Sequence, residues 1–177
     1  MSEPTERSPE EIAHVPRKIL QEQDWLPHGY RDDPDRQIYS VLRERVRYAP
    51  RPGLEEDETN KQLIPYVVVR DAERFLTLRR RAAQSEERLH DQLSIGVGGH
   101  ISRADDDAEA DPIASGMRRE LHEELHIPRD IDVEYCGLLN DDSNAVGRVH
   151  CGLVYRCEAE AENVEVRETE QMVGEWR

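Results

Sequence analysis

The chain has 177 residues, room for one domain of ordinary size. Its 24 Lys+Arg against 39 Asp+Glu leave a formal charge of −15, which disfavours broad, nonspecific binding to DNA or RNA, whose phosphates reward a basic face. No apolar run approaches the roughly 20 residues that span a bilayer, and the polar, acidic start MSEPTERSPEE is not a secretory signal.

The three cysteines, Cys136, Cys151 and Cys157, have no CxxC spacing and read as reduced thiols of a cytoplasmic protein. The charge does not exclude a small phosphate ligand, because a metal ion can reverse the local sign.

Residues 1–35 hold Pro4, Pro9, Pro16, Pro27 and Pro34 without a clear apolar period, and read as a partly flexible N-terminal extension of a domain over 36–177. Within them a short helix is expected near Glu10–Gln23, with Ile12, Val15, Ile19 and Leu20 on one side and Pro16 as its weak point. Ile38, Val41, Leu42 and Val46 predict a helix over Gln37–Tyr48, followed by a loop over 49–60. Leu63–Val69 (LIPYVVV) has strand length and composition, and Arg74–Leu78 alternates as a returning strand closed by Arg79, Arg80 and Arg81. Leu93–Val97 is a third strand, ending in Gly98-Gly99, before an acidic loop at Asp105–Asp107.

Pro112–Leu125 carries the strongest helical pattern. Pro112 suits a first turn, and Ile113, Met117, Leu121 and Leu125 form one stripe. Pro128 stops it. Ile131–Leu138, Arg148–Cys157 and Asn163–Val166 read as strands, with a polar turn at Asn140–Asn144. Strands mixed with one strong helix indicate an α/β (α+β) fold.

The chemistry lies on that helix, in Arg118-Arg119-Glu120-Leu121-His122-Glu123-Glu124-Leu125. Residues three and four apart share a face, so Glu120, Glu123 and Glu124 cluster while Met117, Leu121 and Leu125 face a core. Oxygen ligands of high charge density are what Mg²⁺ and Mn²⁺ prefer. Upstream, Gly98-Gly99 allows close backbone approach and a turn that exposes a carbonyl. His122-Glu123-Glu124-Leu125-His126 has the letters and spacing of HExxH, but His90, His100, His122, His126 and His150 are read as surface groups or groups beside the site, not as zinc ligands.

Strand, Gly-Gly, loop, then helix with Arg-Glu-Leu-x-Glu-Glu resembles the Nudix hydrolase family, from about Gln62 to Trp176. The box of that family is G, five residues, E, seven residues, R-E-U-x-E-E-x-G-U, with U aliphatic. Gly99 matches the opening glycine, and Arg119, Glu120, Leu121, Glu123, Glu124 and Ile127 match the core and end. Asp111 stands seven residues before Arg119 and is read as the first acid, which puts eleven residues after Gly99 and a six-residue insertion in ISRADDDAEAD. Glu109 is its rival, and His126 replaces the late glycine. Blocks such as QLIPYVV, RLHDQLSIGVGGHI and GLLNDDSNAVGRVH are similar to a group of MutT-like phosphoesterases.

The resemblance implies an α/β/α sandwich with a mixed β-sheet and a catalytic box helix. It implies divalent-metal-dependent hydrolysis of a nucleoside diphosphate derivative, with Mg²⁺ or Mn²⁺ held by Glu120, Glu123, Glu124 and the Gly98 carbonyl. Glu123 or Glu124 would orient water, Arg119 would brace a box carboxylate through Asp111, and a late acid, Glu168 or Glu170, would assist. The expected partner is a small molecule, not a duplex or a membrane, and a homodimer is left open. The alternative is a Nudix-fold sensor that grips a nucleotide or nucleotide-sugar without cleaving it. Isopentenyl diphosphate isomerases share the fold but depend on a cysteine context absent here.

Overall fold

The computed structural model describes residues 9–80, 93–107, 110–167 and 172–177, with the backbone alone at Arg80. The chain enters on a strand, β1 (Glu11–Pro16), followed by a short helix, α1 (Arg17–Glu22). One helix over Glu10–Gln23 is therefore corrected. Ile12, Ala13, His14 and Val15 are all buried, which suits a strand covered on both faces better than an amphipathic helix. Pro16 then serves as the cap of α1, where its missing N–H costs nothing.

Next come β2 (Gly29–Asp32), α2 (Gln37–Arg45), β3 (Arg47–Pro50) and the single turn α3 (Arg51–Leu54). The helix predicted over Gln37–Tyr48 thus ends early, because Arg47–Pro50 pairs with β1 from Glu11 to His14. The long central strand β4 (Asn60–Asp71) turns into β5 (Arg74–Arg80). Beyond residue 92 the short strands β6 (Leu93–Ser94) and β7 (Gly96–Val97) stand in place of one expected strand. The remaining elements are α4 (Pro112–Glu124), β8 (Leu125–His126), β9 (Val133–Asn140), α5 (Ala145–Val149), β10 (His150–Glu158), β11 (Glu165–Val166) and β12 (Met172–Trp176).

The architecture is mixed α+β around a mixed sheet of order β12-β5-β4-β10-β9-β2. β10 runs parallel to β4 from His150 opposite Gln62 to Glu158 opposite Arg70, and the other named pairings are antiparallel. Along β4, residues 60–62 pair with β1, 67–68 with β7 and 70–71 with β5. Between the β1 and β7 ladders the chain Gly98–Ile101 crosses, and Ala13 donates to the Ile101 carbonyl at 2.8 Å. That gap is where the site is built.

Behind the Asn140–Asn144 turn lies a fully buried Lys61. Its ammonium donates to Asn140 Oδ1 (2.8 Å), Asp142 Oδ1 (2.7 Å), the Gly147 carbonyl (2.7 Å) and the His150 carbonyl (3.1 Å). Asp142 also pairs with Arg17. A polar turn with this many partners is a structural anchor, which accounts for its length of polar sequence.

Candidate active site

α4 forms where its pattern predicts. Asp111 caps it, accepting from Ile113 N (3.0 Å) and Ala114 N (3.3 Å), and Pro112 takes the first turn. Ile113, Leu121 and Leu125 are fully buried and Met117 nearly so, each worth about 1.5–3 kcal/mol by burial. This stripe fixes the helix against β4 and β7 and turns residues 119, 120 and 123 toward the crossing. The helix leaves through Leu125 in extended conformation, and Leu125–His126 pairs with Glu165–Val166. An exit of this kind needs no left-handed residue, so His126 can stand where the box has glycine.

Arg119 is the centre of the arrangement. Its Nε and Nη2 reach Asp105 Oδ1 and Oδ2, both at 2.8 Å, a bidentate pair. Nη2 also donates to the His100 carbonyl (2.8 Å), and Nη1 to Glu120 Oε1 (2.7 Å) and Glu123 Oε2 (3.0 Å). The Asp105 side chain is only 6% exposed and also accepts from Ser102 N at 2.8 Å. Hydrogen bonds to Asp105 push the Arg119 guanidinium further up, so it stays charged.

The bracing acid is therefore Asp105, and the expectation of Asp111 is corrected. Asp111 is occupied as a helix cap and as acceptor of the Tyr39 hydroxyl at 2.9 Å. The signal was present in the sequence: five residues separate Gly99 from Asp105, the box spacing. Thirteen then separate Asp105 from Arg119, so the six extra residues follow the acid instead of preceding it. The rival Glu109 lies outside the described residues.

Glu120 faces the glycine pair. A Cβ on Gly99 would stand 2.4 Å from Glu120 Oε2, and one on Gly98 would stand 1.9 Å from the Pro65 carbonyl oxygen. Both glycines are thus required by close approach, one to the carboxylate and one to β4. Burial pushes the Glu120 carboxyl up, and Arg119 offsets part of that shift. Glu123 is more open, at 58% exposure, and Glu124 is half-buried, with its carbonyl accepting from Arg167 N at 2.8 Å.

Among the described residues no three His, Cys, Asp or Glu side chains converge tightly enough to enclose a metal ion as they stand. The donor set nevertheless fits a hard divalent cation. It is oxygen-only, Arg119 engages Oε1 of Glu120, and Oε2 sits in a cradle that any side chain at residue 99 would fill.

Beside this wall, His100 Nε2 meets Gln62 Oε1 at 2.9 Å. Gln62 Nε2 donates to the Leu54 carbonyl, so Oε1 is the acceptor and His100 Nε2 carries the hydrogen. Burial pulls His100 down to about 4, leaving it neutral near pH 7. His122 lines a cleft on the flank of α4, and His126 lies on β8. Arg79 is an exposed residue of β5, paired with β12 and β6, and Arg81 lies outside the described residues. Glu168 and Glu170, expected as the late acid, also lie outside them.

Protein YmaB of Bacillus subtilis (strain 168) is 37% identical over 144 residues, covering 79% of this chain and 70% of that protein. Tm1382, described as a candidate Nudix hydrolase, superposes with a TM-score of 0.79 at 27% identity, covering 94% of this chain and 85% of its own. DR0079 from Deinococcus radiodurans, at 19% identity and a TM-score of 0.52 over 75% of each chain, shares the fold. No family model matches the sequence. The fold and the match to Tm1382 make the chain a member of the Nudix hydrolase family. By sequence, the chain belongs with YmaB. No helix among the described residues is long and apolar enough to cross a membrane.

Proposed function

We propose that the protein hydrolyses the pyrophosphate bond of a nucleoside diphosphate derivative in a reaction dependent on Mg²⁺ or Mn²⁺. The observation that carries this reading is the Glu120 carboxylate, whose side chain is only 14% exposed. Arg119 holds it on one side, and on the other it is pressed against Gly99, an anion placed where a cation would relieve its burial.

Glu120, Glu123, Glu124 and the Gly98 carbonyl are the groups assigned to hold the metal. When bound, such an ion neutralises the diphosphate and lowers the pKa of a coordinated water. The other roles belong to this chain's own residues. Arg119, clamped by Asp105, fixes the Glu120 and Glu123 carboxylates from the outer side. Glu123, the more exposed of the two, would take the proton from an attacking water. The Gly98-Gly99 backbone gives close access to the substrate side of Glu120.

The test is a panel of nucleoside diphosphate derivatives assayed for phosphate release with Mg²⁺, with Mn²⁺ and with chelator. Turnover of at least one compound with either ion, abolished by chelator, is expected. Tight binding of such a compound without turnover under any condition would make the protein a sensor instead.

A further inference from the structure

A cleft of about 880 Å³ opens on the flank of α4, lined by Arg118, Arg119, His122, Glu123, Arg129 and Arg167. Its cations come from three places in the chain. Arg118 and His122 are one turn apart on α4, and Arg129 follows β8. Arg167 follows β11, and its N–H on the Glu124 carbonyl, with the β8–β11 ladder, fastens it to the helix end. The charges of Arg129, Arg118 and Arg167 all bear on His122, so the three guanidinium groups share one neighbourhood.

None of these three has a carboxylate partner among the described residues. The one side-chain bond is from Arg118 to the Ile131 carbonyl, at 3.4 Å. Elsewhere on the surface Arg103 pairs with Glu11, Arg148 with Glu58 and Arg156 with Glu134. With 39 acidic residues available, partners are not scarce. The acid that does line the cleft, Glu123, is turned to Arg119. The negative end of α4 amounts to roughly half a charge, which one cation satisfies. Among the described residues these three like charges gather without counter-ions, which is unfavourable unless an anion joins them.

We propose that this cleft is an anion subsite for phosphoryl groups of the substrate that lie beyond those facing Glu120, and that the substrate class is accordingly a compact polyphosphate of three or more linked phosphates. The word substrate rests on the function proposed above; the anion site rests on the cleft alone. The two meet at Arg119 and Glu123, which belong to both the box face and the cleft. Guanidinium groups suit this role because each presents a planar fork to phosphate oxygens.

The test is calorimetric titration of the full chain in metal-stripped buffer at low salt, without chelator, since a chelator is itself a polyanion. Inorganic tripolyphosphate and a nucleoside triphosphate are titrated in parallel. Wild type should bind saturably at one site, more weakly as salt rises. Arg129→Gln combined with Arg167→Gln should lose at least tenfold in affinity, and the corresponding double Lys variant should recover part of it. The remote Arg103→Gln should stay within about twofold of wild type, and unchanged melting temperatures would show that the variants fold.

A matching loss for both ligands assigns the cleft to phosphates of a nucleotide, and a loss for tripolyphosphate alone assigns it to a non-nucleotide polyphosphate. No saturable binding by wild type, or a double Gln variant that binds both ligands like wild type, overturns the proposal. So does a loss confined to the nucleoside compound, which would place the base there. All of these readouts are independent of turnover, so failure of the hydrolase assignment would appear separately.

Discussion

Removing the Asp105 carboxylate should separate the two readings of the box most sharply. Asp105 is 6% exposed at its side chain and receives two charged hydrogen bonds from Arg119, both at 2.8 Å. Breaking a buried pair on one side costs about 3–5 kcal/mol. Arg119 is 30% exposed and keeps Glu120 and Glu123, so the lower end applies, about 3 kcal/mol. In a chain of this size that lowers Tm by about 6–12 °C. Asp111→Ala should cost less, about 1–2 kcal/mol, by removing a helix cap and the Tyr39 contact. The decisive assay is a pair of double-mutant cycles read by denaturant unfolding. Asp105→Ala with Arg119→Ala should be non-additive by at least about 1.5 kcal/mol, while Asp111→Ala with Arg119→Ala should add within about 0.5 kcal/mol. Additivity in the first cycle and coupling in the second would refute the placement of the insertion after Asp105.

Saturating Mn²⁺ or Mg²⁺ should raise Tm in wild type, by the equivalent of about 2.7 kcal/mol at 100 times the dissociation constant, and Gly99→Ala should blunt that rise because its Cβ would displace Glu120 Oε2. Identical melting curves with and without metal would count against the site. Lys61→Met should destabilise by about 3–5 kcal/mol in urea unfolding, since Asp142 and two carbonyls lose a buried cation; a loss under 1 kcal/mol would contradict the anchoring role of the 140–150 segment. Burial raises the Cys151 thiol to about 12 and Cys157 to about 11, so an aromatic disulfide reagent at pH 8 should modify Cys136 first and the other two only on unfolding. Equal labelling rates for all three would contradict the packing around β10.

Much of this site was legible because two strong signals overlap. The stripe Ile113, Met117, Leu121, Leu125 requires a helix with one buried face, and that fixes Glu120 and Glu123 relative to Arg119 without further information. The acid is ambiguous in the sequence because the stretch from Asp105 to Asp111 holds several carboxylates: the spacing back from Arg119 points to Asp111, and the spacing forward from Gly99 points to Asp105. Only tertiary contact decides between the two counts. The N-terminal strand is hidden in the sequence for a related reason. In Ile12–Val15 every side chain is buried, so neither the alternation of a half-exposed strand nor a helical period is visible. The basic cleft leaves no sequence signature, because Arg118, Arg129 and Arg167 are brought together by the β8–β11 pairing.

The central claim is that the glutamates of α4 serve metal-dependent cleavage of a phosphoric anhydride. It is tested most directly by the rate of phosphate release from Glu120→Gln beside wild type, on a diphosphate compound that wild type turns over with Mg²⁺ or Mn²⁺. The substitution keeps the shape of a side chain that is held at its edge by Arg119, while Leu121 and Leu125 continue to dock the helix. The expected result is a variant that folds like wild type and is slower by at least about a hundredfold. A folded Glu120→Gln variant with the wild-type rate would contradict the account.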